Sequence, residues 1–318
     1  MRILVTGGNG FVGRTLVRSL CAEHIVHVVD NVRFGSLRFR ESELASFSFH
    51  QADICDRRSM AAIIAEARPE SIIHLAAIHF IPECENDPVL AVSTNVHGTV
   101  NLLSECPAGC RFVLASSASV YRPSAELLEE DTSPLGPVDV YGLTKVHAED
   151  YVRYLARERR FPAVIVRLFN VIGPGESNPH VLPEIIAQLK SGRTKLRLGS
   201  ITPKRDFIYV ADAAAGFAAA ATNGEVQPGE AVTVNLGTGR AHSIAEVLGL
   251  LAAIASCEIT VERDESRVRR VDNPLLLADN SAIANRFGWR PAYDLSAALH
   301  DTWREADLPD YLMRRYRQ

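Results

Sequence analysis

Tyr141 and Lys145 are four positions apart, a spacing that places a phenol and an amine on one face of a helix. A phenol with an ordinary pKa of about 10 is a poor base at neutral pH. A neighbouring ammonium would stabilise the phenolate and bring its pKa toward the working range. Residues 112–116 predict a strand that ends in serines, and a hydroxyl there can share a substrate proton. The pattern predicts a proton-transfer site.

A glycine loop follows the first strand-like run, residues 3–6, and precedes a helical pattern. Its glycines are Gly7, Gly10 and Gly13, with Phe11 and Val12 between the last two. A backbone without side chains lets a pyrophosphate approach a helix N-terminus, where free N–H groups and the helix dipole meet its charge. In this strand–turn–helix context the loop predicts a dinucleotide site.

Two acids follow the next strands. Asp30 ends the strand at residues 25–29, where a carboxylate can accept both adenosine ribose hydroxyls and repel a 2′-phosphate, which favours NAD over NADP. Arg33 argues for NADP instead, because a guanidinium there can hold such a phosphate. A solvated loop charge is the simpler interpretation of Arg33. Asp53 can accept from the adenine amino group or cap the following helix.

The elements that would position these residues alternate regularly. Apolar runs rich in Ile and Val predict strands at residues 3–6, 25–29, 47–51, 72–75, 112–116 and 163–168, with helices at 11–21, 57–67, 89–106 and 140–159. This alternation is typical of an α/β fold with a doubly wound parallel sheet, a Rossmann sheet. We expect residues 1–170 to form the NAD-binding domain and 171–318 a smaller C-terminal substrate-binding lobe, with a later segment near 205–240 returning to the sheet.

Composition excludes several classes of protein. The 318 residues contain 34 Lys plus Arg and 38 Asp plus Glu, so a net charge of −4 leaves no broad positive field for nucleic acid or an anionic membrane. The six cysteines are scattered, which favours reduced thiols in the cytoplasm. No signal segment and no apolar run long enough for a membrane span is visible. The ten histidines lack zinc-site spacing, so no metal is predicted.

These motifs together resemble the extended short-chain dehydrogenase/reductase family, and within it the nucleotide-sugar epimerases and dehydratases. The residues that carry the resemblance span nearly the whole chain: the glycine loop, Asp30, 53–54, 74–77, Asn95, the serine strand, Tyr141 with Lys145, 167–170, 205–207, and Arg269 with Asp272.

The resemblance implies a role for each matching position. The catalytic residues would be Ser117, Tyr141 and Lys145. Residues expected to bind NAD are Gly7, Gly10, Phe11, Val12, Gly13, Asp30, Asn31, Asp53, Ile54, Leu75, Ala76, Ala77, His79, Asn95, Tyr141, Lys145 and Phe169. Those expected to bind the nucleotide-diphosphate sugar, a UDP-sugar by this likeness, are Ser117, Ser119, Asn170, Val181, Arg205, Arg269 and Asp272.

The favoured reaction is NAD-dependent epimerisation at the sugar C4 through a 4-keto intermediate. Dehydratases of the family carry an Asp-Glu pair where this chain has Ala118 and Ser119, which argues against dehydration unless Glu83 or Glu176 enters the site. A 4-keto sugar reductase remains an alternative, since residues 167–175 also resemble that class and His79 stands where several epimerases have lysine.

Further implications concern the sugar and the assembly. Uronate epimerases carry an arginine shortly after the Gly-Pro turn, where this chain has residues 176–178, so a neutral sugar is favoured. A non-catalytic NAD-binding protein would need neither Tyr141 nor Lys145. Relatives pair through two long helices per subunit, so the resemblance implies a homodimer with a four-helix bundle formed by residues 89–106 and 140–159; apolar positions there would otherwise be core.

Overall fold

The computed structural model describes residues 1–33, 35–176, 178–267, 273–306, 308 and 310–316. The first half of the chain alternates strands and helices. In order these are β1 (Arg2–Thr6), α1 (Phe11–Leu20), β2 (Ile25–Asp30), β3 (Ser48–Gln51), α2 (Arg57–Ala67), β4 (Ser71–His74), α3 (Ile81–Asn86), α4 (Pro88–Val92), α5 (Gly98–Glu105), β5 (Arg111–Ser117), α6 (Val140–Arg159) and β6 (Ala163–Leu168).

The second half contains shorter strands between helices. They are β7 (Asn170–Ile172), α7 (Val181–Lys190), β8 (Lys195–Leu198), β9 (Lys204–Tyr209), α8 (Val210–Thr222), β10 (Ala231–Leu236), β11 (Ala241–Ser243), α9 (Ile244–Ala255), β12 (Thr260–Arg263), β13 (Leu275–Leu276), α10 (Ser281–Phe287), α11 (Leu295–Arg304) and α12 (Asp310–Tyr316).

The central sheet has seven parallel strands in the order β3-β2-β1-β4-β5-β6-β10. The order reverses between β1 and β4, and ligands of open α/β sheets bind at such a switch point, beyond the carboxyl ends of the strands. The glycine loop leaves β1 at this point. The predicted doubly wound parallel sheet is confirmed.

Helices cover both faces of this sheet, because its strands are buried on both sides. Ile3 and Val5 of β1 pack on one face with α1 and α8, whereas Leu4 packs on the other with α2, α5 and α6. The Ala-rich helix α8 lies against α1, as a packing role predicts. Continuous apolar strands of this kind require cover on both faces.

A smaller set of strands and helices forms around β9. β9 pairs with β7, β11 and β13, while β8 pairs with β12. Residues such as Ile185, Leu196 and Leu248 form a separate apolar cluster beneath α7, α9 and α11. β10 pairs with β6, so the chain returns to the central sheet after leaving it. The division at residue 170 stays a prediction.

The predicted helix at residues 89–106 is interrupted. Its described form is α4, a π-helical turn at Ser93–His97, and α5, which ends at Glu105. Such π turns occur frequently at functional sites, since they re-aim side chains. In the part of the chain that the structure describes, no helix is both long and apolar enough to cross a bilayer.

A buried ion pair joins α6 to the sheet. Glu149 of α6 and Arg167 of β6 are 0% and 2% exposed, and Arg167 Nε and Nη2 donate to the two carboxylate oxygens over 3.0 and 2.8 Å. Ser116 Oγ at the end of β5 donates to the same carboxylate over 2.6 Å. The Glu149 carboxylate therefore holds α6, β5 and β6 in one arrangement.

Glu149→Ala is expected to lower the free energy of unfolding by about 3–5 kcal/mol, because it leaves the buried guanidinium of Arg167 without its carboxylate. Glu158→Ala, an exposed position on the same helix, should change it by no more than about 0.5 kcal/mol. Denaturant unfolding measures both. Equal effects of the two substitutions would show that the buried pair is not what fixes α6.

The same difference should depend on pH. Burial acts to raise the pKa of Glu149, but the hydrogen bonds and charge of Arg167 outweigh it and lower the pKa below its ordinary value. The contribution of Glu149 is thus fully present above the unfolded-state pKa and is lost as the pH falls through the folded-state pKa. The gap between wild type and Glu149→Ala should shrink toward acid pH.

Candidate active site

The predicted proton-transfer residues meet at the carboxyl end of β5. The hydroxyl of Ser117 lies near that of Tyr141 and acts to lower its pKa. Lys145 is buried, with Nζ 5.7 Å from the centre of the Tyr141 ring, and donates to the carbonyl oxygen of Ala115 over 2.8 Å. The structure therefore brings all three side chains together.

Local sequence explains why α6 begins at this point. Asp139 caps the helix, its side chain accepting from the amide of Gly142 over 2.7 Å. A Cβ on Gly142 would overlap the carbonyl oxygen of Ser119 and the ring of Pro137. Glycine therefore permits the first turn of α6 to approach the end of β5, which places Tyr141 beside Ser117.

Burial dominates the protonation of this group. It raises the pKa of Tyr141, while the hydrogen bond from Ser117 acts in the opposite direction. It lowers the pKa of Lys145 to about 8. The downward shift of the tyrosine pKa expected from a neighbouring ammonium is thus not produced by the protein's own groups. At neutral pH Lys145 is still mainly charged, as stabilisation of a phenolate requires.

The glycine loop is packed too tightly for side chains. Gly7 has a φ of +71°, and a Cβ on it would lie 2.6 Å from the amide nitrogen of Ala76. A Cβ on Gly13 would overlap the carbonyl oxygen of Gly7. Gly10 precedes α1, whose N-terminus faces the cleft. These features fit a loop that holds a pyrophosphate.

Asp30 and Asp53, which are expected to bind the adenosine, line the same cleft. Asp30 accepts from the amides of Asn9 and Val32 over 3.0 and 2.9 Å, and burial raises its pKa. Asp53 accepts from the side chain of Asn31 over 2.9 Å. The helix cap is Asp56, so that interpretation of Asp53 is wrong.

Arg33 lies across the cleft from α3 and forms an ion pair with Glu83. The pair joins the loop after β2 to the segment after β4, and both residues line the cleft. A guanidinium held by a carboxylate is a poor ligand for a second anion, and the carboxylate itself repels phosphate. The pair therefore favours NAD over NADP. It also argues against Arg33 as a ligand of a 2′-phosphate.

The other residues expected around the cofactor fall into two groups. Those that line the cleft are Phe11, Val12, Ile54, Leu75, Ala76, Ala77, His79 and Phe169. Asn95, on the π turn, lies behind the residues that line the cleft and is 1% exposed. Its amide exchanges hydrogen bonds of 2.8 Å with the backbone of Ile78 and donates to Thr144 over 3.0 Å, which links the segment after β4 to α6.

At the opposite end of the cleft lie the residues expected to hold the sugar nucleotide. Ser119, Asn170, Val181 and Arg205 line it, and Arg205 Nη1 donates to the carbonyls of Lys204 and Asn273 over 2.9 and 2.7 Å. Arg269 and Asp272 lie outside the described residues. Further cations line this end of the cleft: Arg193, Arg197, Arg267 and Arg315.

Two of those cations, Arg267 and Arg315, are positioned by one buried acid. Glu184 of α7 is 5% exposed and accepts from Arg267 over 3.0 Å, from Arg315 over 2.8 Å and from the hydroxyl of Tyr316. α12 thereby packs against α7. A lone glutamate in an apolar helix, Val181–Lys190, was the available sequence signal, because a buried acid needs cationic partners.

The cleft has a volume of about 1840 Å³ and runs from Asp30 past Tyr141 to Arg205. Single small-molecule sites are usually about 300–1,000 Å³. This cleft is large enough for a dinucleotide and a second nucleotide-sized ligand that meet at Tyr141. Its residues fit NAD at one end, and Arg205, whose guanidinium donates to backbone carbonyls, fits a diphosphate at the other.

Comparisons with known proteins agree with this geometry. A model of the NAD dependent epimerase/dehydratase family matches residues 3–237. The chain is 31% identical to UDP-glucose 4-epimerase of Neisseria meningitidis serogroup A, over 95% of this chain and 96% of that protein. It is 28% identical to GDP-6-deoxy-D-mannose reductase of Pseudomonas aeruginosa, over 94% of each. It superposes on Thermus thermophilus UDP-glucose 4-epimerase in complex with NAD with a TM-score of 0.83, at 28% identity, covering 96% of this chain and 98% of that one.

Glu83→Gln should raise the affinity for NADP about tenfold, equivalent to ~1.4 kcal/mol, because a neutral amide competes less than a carboxylate for the Arg33 guanidinium. The affinity for NAD should change little. Calorimetric titration with each dinucleotide measures both. The double variant Arg33→Ala, Glu83→Gln is the control and should lose the gain; a gain that persists in it would show that Arg33 is not the phosphate ligand.

Proposed function

We propose, since the chain belongs to the NAD dependent epimerase/dehydratase family, that it is an NAD-dependent nucleotide-sugar 4-epimerase acting on a UDP-hexose. The observation that carries the proposal is the contact of Ser117 with Tyr141 beside buried Lys145, between the glycine loop and the arginine-lined end of the cleft. The matches to UDP-glucose 4-epimerases over nearly the whole chain support the reaction and the UDP-sugar.

The residues of the cleft divide the chemistry between them. When bound, NAD takes a hydride from the sugar C4 and gives it back. Tyr141 as phenolate removes the proton of the 4-hydroxyl, and the hydroxyl of Ser117 shares that proton through its hydrogen bond. Lys145 supplies the positive charge that stabilises the phenolate. Inversion requires the 4-keto sugar to turn over within the cleft before it is reduced, with Arg205 holding the nucleotide diphosphate.

A neutral hexose suits the sugar end of the cleft better than a uronate. Glu176 follows the Gly-Pro turn, is 8% exposed and lines the cleft, where its carboxylate repels a second carboxylate. Its Oε1 accepts from the amide of Asn178 over 3.2 Å, which fixes it there. Glu176 is also one of the two carboxylates that a dehydration reaction could use. The other, Glu83, is paired with Arg33.

A 4-keto sugar reductase is the second candidate. The chain is 28% identical to GDP-6-deoxy-D-mannose reductase of Pseudomonas aeruginosa, close to its 31% identity to UDP-glucose 4-epimerase. It would use Ser117, Tyr141 and Lys145 in one direction with a reduced cofactor. Asp30 and the Arg33–Glu83 pair disfavour a 2′-phosphate, so NADPH is the less suitable reductant.

One experiment separates these reactions. Purified protein without added cofactor is incubated in deuterium oxide with UDP-, dTDP- and GDP-hexoses, and the sugars are followed by NMR. We expect the C4 epimer of a UDP-hexose, without solvent deuterium at C4. A 4-keto product with deuterium at C5 would mean dehydration. No reaction, followed by turnover of a 4-keto sugar with NADH or NADPH, would mean reduction.

Tyr141→Phe should lower kcat by about 10²- to 10⁴-fold, the usual contribution of a general acid–base group, while the NAD content of the purified protein is retained. The matched control is Tyr154→Phe, on the exposed side of the same helix, which should keep full activity. A kcat of Tyr141→Phe close to that of the wild type would contradict its assigned role. Loss of bound NAD together with activity would indicate a folding defect, which circular dichroism detects.

We further propose a homodimer built on α4 and α6. Exposed apolar residues on α4 include Val89, which is 80% exposed. Leu143, Tyr151 and Tyr154 lie along one face of α6 and are 47%, 45% and 54% exposed. Apolar faces of this kind on two neighbouring helices are typical of interfaces between subunits.

Tyr151→Glu combined with Tyr154→Glu should convert the dimer to a monomer, because it buries charge in the contact, and sedimentation velocity measures the change. Ile25→Glu, at an equally exposed apolar residue of β2, should leave the dimer intact. A wild-type protein that sediments as a monomer would contradict the proposal.

The six cysteines are all free thiols, which supports a cytoplasmic, reducing location.

A further inference from the structure

Three potential metal ligands converge in the cleft, although the sequence places them far apart. They are His79, after β4, and Glu176 and His180, in the turn before α7. One ligand atom from each lies within 4.8 Å of those of the other two. The mechanism proposed above uses neither Glu176 nor His180. This cluster is therefore a feature of the cleft that the epimerase chemistry leaves unexplained.

Two of these donors contact one neighbouring residue. The side-chain nitrogen of Asn178 lies 2.9 Å from Nε2 of His79, and the backbone N–H of Asn178 donates to Oε1 of Glu176. The ring of His79 also hydrogen-bonds with the backbone of Ala77. Metal-binding histidines typically use one ring nitrogen for a backbone or carboxylate partner, which fixes the other nitrogen toward the metal.

His180 completes the set from the N-terminus of α7. Its ring centre lies 5.9 Å from that of His79 and 5.5 Å from that of Phe80, so it stacks over the same end of the cleft. Glu176 is buried, His180 is half-buried and His79 faces the cleft. The three donors thus border a region that a small ion from solution can reach.

The donor set selects the kind of ion. Two imidazoles and one carboxylate suit Zn²⁺ and neighbouring first-row metals, which leave a fourth position for water, whereas Mg²⁺ and Ca²⁺ prefer oxygen ligands. Bonds of about 2.0–2.1 Å would place the ligand atoms roughly 3.3 Å apart around a tetrahedral ion. Binding would therefore draw His79 and the turn at Glu176 closer together, with Asn178 giving up its contact to His79.

We propose that His79, Glu176 and His180 form a binding site for a transition-metal ion of the Zn²⁺ class at the sugar end of the cleft. The ion and the nucleotide sugar exclude one another, because the cluster lines the space that the sugar must occupy between Tyr141 and α7. The exclusion rests on the proposed function, but the metal site itself does not. A Zn²⁺ ion bound there makes the enzyme inactive without removing its cofactor.

Co²⁺ is the probe for the site, since its visible absorption reports the number and type of its ligands. Titration of the purified, NAD-containing protein with Co²⁺ should produce absorption bands of a four- or five-coordinate ion that saturate at one ion per chain, and Zn²⁺ should abolish them. His180→Ala and Glu176→Gln should each weaken Co²⁺ binding at least about tenfold. His300→Ala, at an exposed histidine of α11, is the matched control and should bind as wild type.

Two results would overturn the metal site: no saturable bands, or bands that persist unchanged in both His180→Ala and Glu176→Gln. Circular dichroism and NAD content show that the variants are folded, and His180→Asn, a smaller change, provides a second test. The exclusion is tested by adding UDP-glucose to the Co²⁺ protein, which should reduce the bands. Retained bands with UDP-glucose bound would overturn the exclusion alone, and an inert sugar panel would leave the metal result standing.

Discussion

The buried carboxylate of Glu149 is the interaction on which the arrangement of the site depends. It accepts from Arg167 of β6 and Ser116 of β5 while standing on α6, the helix that carries Tyr141 and Lys145. A buried ion pair adds little net stability compared with an apolar packing of the same volume, but a misplaced partner is costly. The pair therefore selects one register of α6 against the sheet, and that register places the phenol beside Ser117.

The same constraint extends away from the catalytic group. Arg167 also donates to the hydroxyl of Tyr121 over 3.0 Å, and that hydroxyl donates to Asn235 of β10 over 2.7 Å. β10 is the strand that returns to the central sheet after β7 to β9 have begun the smaller one. One hydrogen-bonded network thus connects the end of β5, which carries the serines, to β10.

Local charge, rather than net charge, prepares the cleft for its ligands. The chain carries −4 overall, yet Arg193 and Arg205 lie at one end of the cleft, where Arg197 is paired with Asp264 and Glu184 holds Arg267 and Arg315. At the other end Asp30 and the Arg33–Glu83 pair disfavour a 2′-phosphate. The two ends therefore distinguish the two nucleotides that meet at Tyr141.

The sequence predicted the features that depend on local spacing. The glycine loop, Asp30 at the end of β2 and the pair Tyr141 and Lys145 follow from strand and helix periodicity, which also predicts the parallel sheet. Contacts between distant segments could not be predicted in this way. Glu83 beside Arg33, Asn95 behind the residues that line the cleft, and Glu184 with α12 depend on how separate elements pack. The pKa of Tyr141 differed from expectation because burial, which raises it, outweighs the lowering effect of Ser117.

The most direct test of the account follows the hydrogen at C4 of the sugar. UDP-glucose or UDP-galactose carrying deuterium at C4 is incubated with the purified protein and an excess of unlabelled NADH in ordinary water, and the epimer is analysed by NMR and mass spectrometry. The account predicts that the epimer keeps its deuterium at C4, because the hydrogen that leaves is returned within one closed cleft. An epimer that has lost this deuterium, or a product other than the C4 epimer, would contradict it.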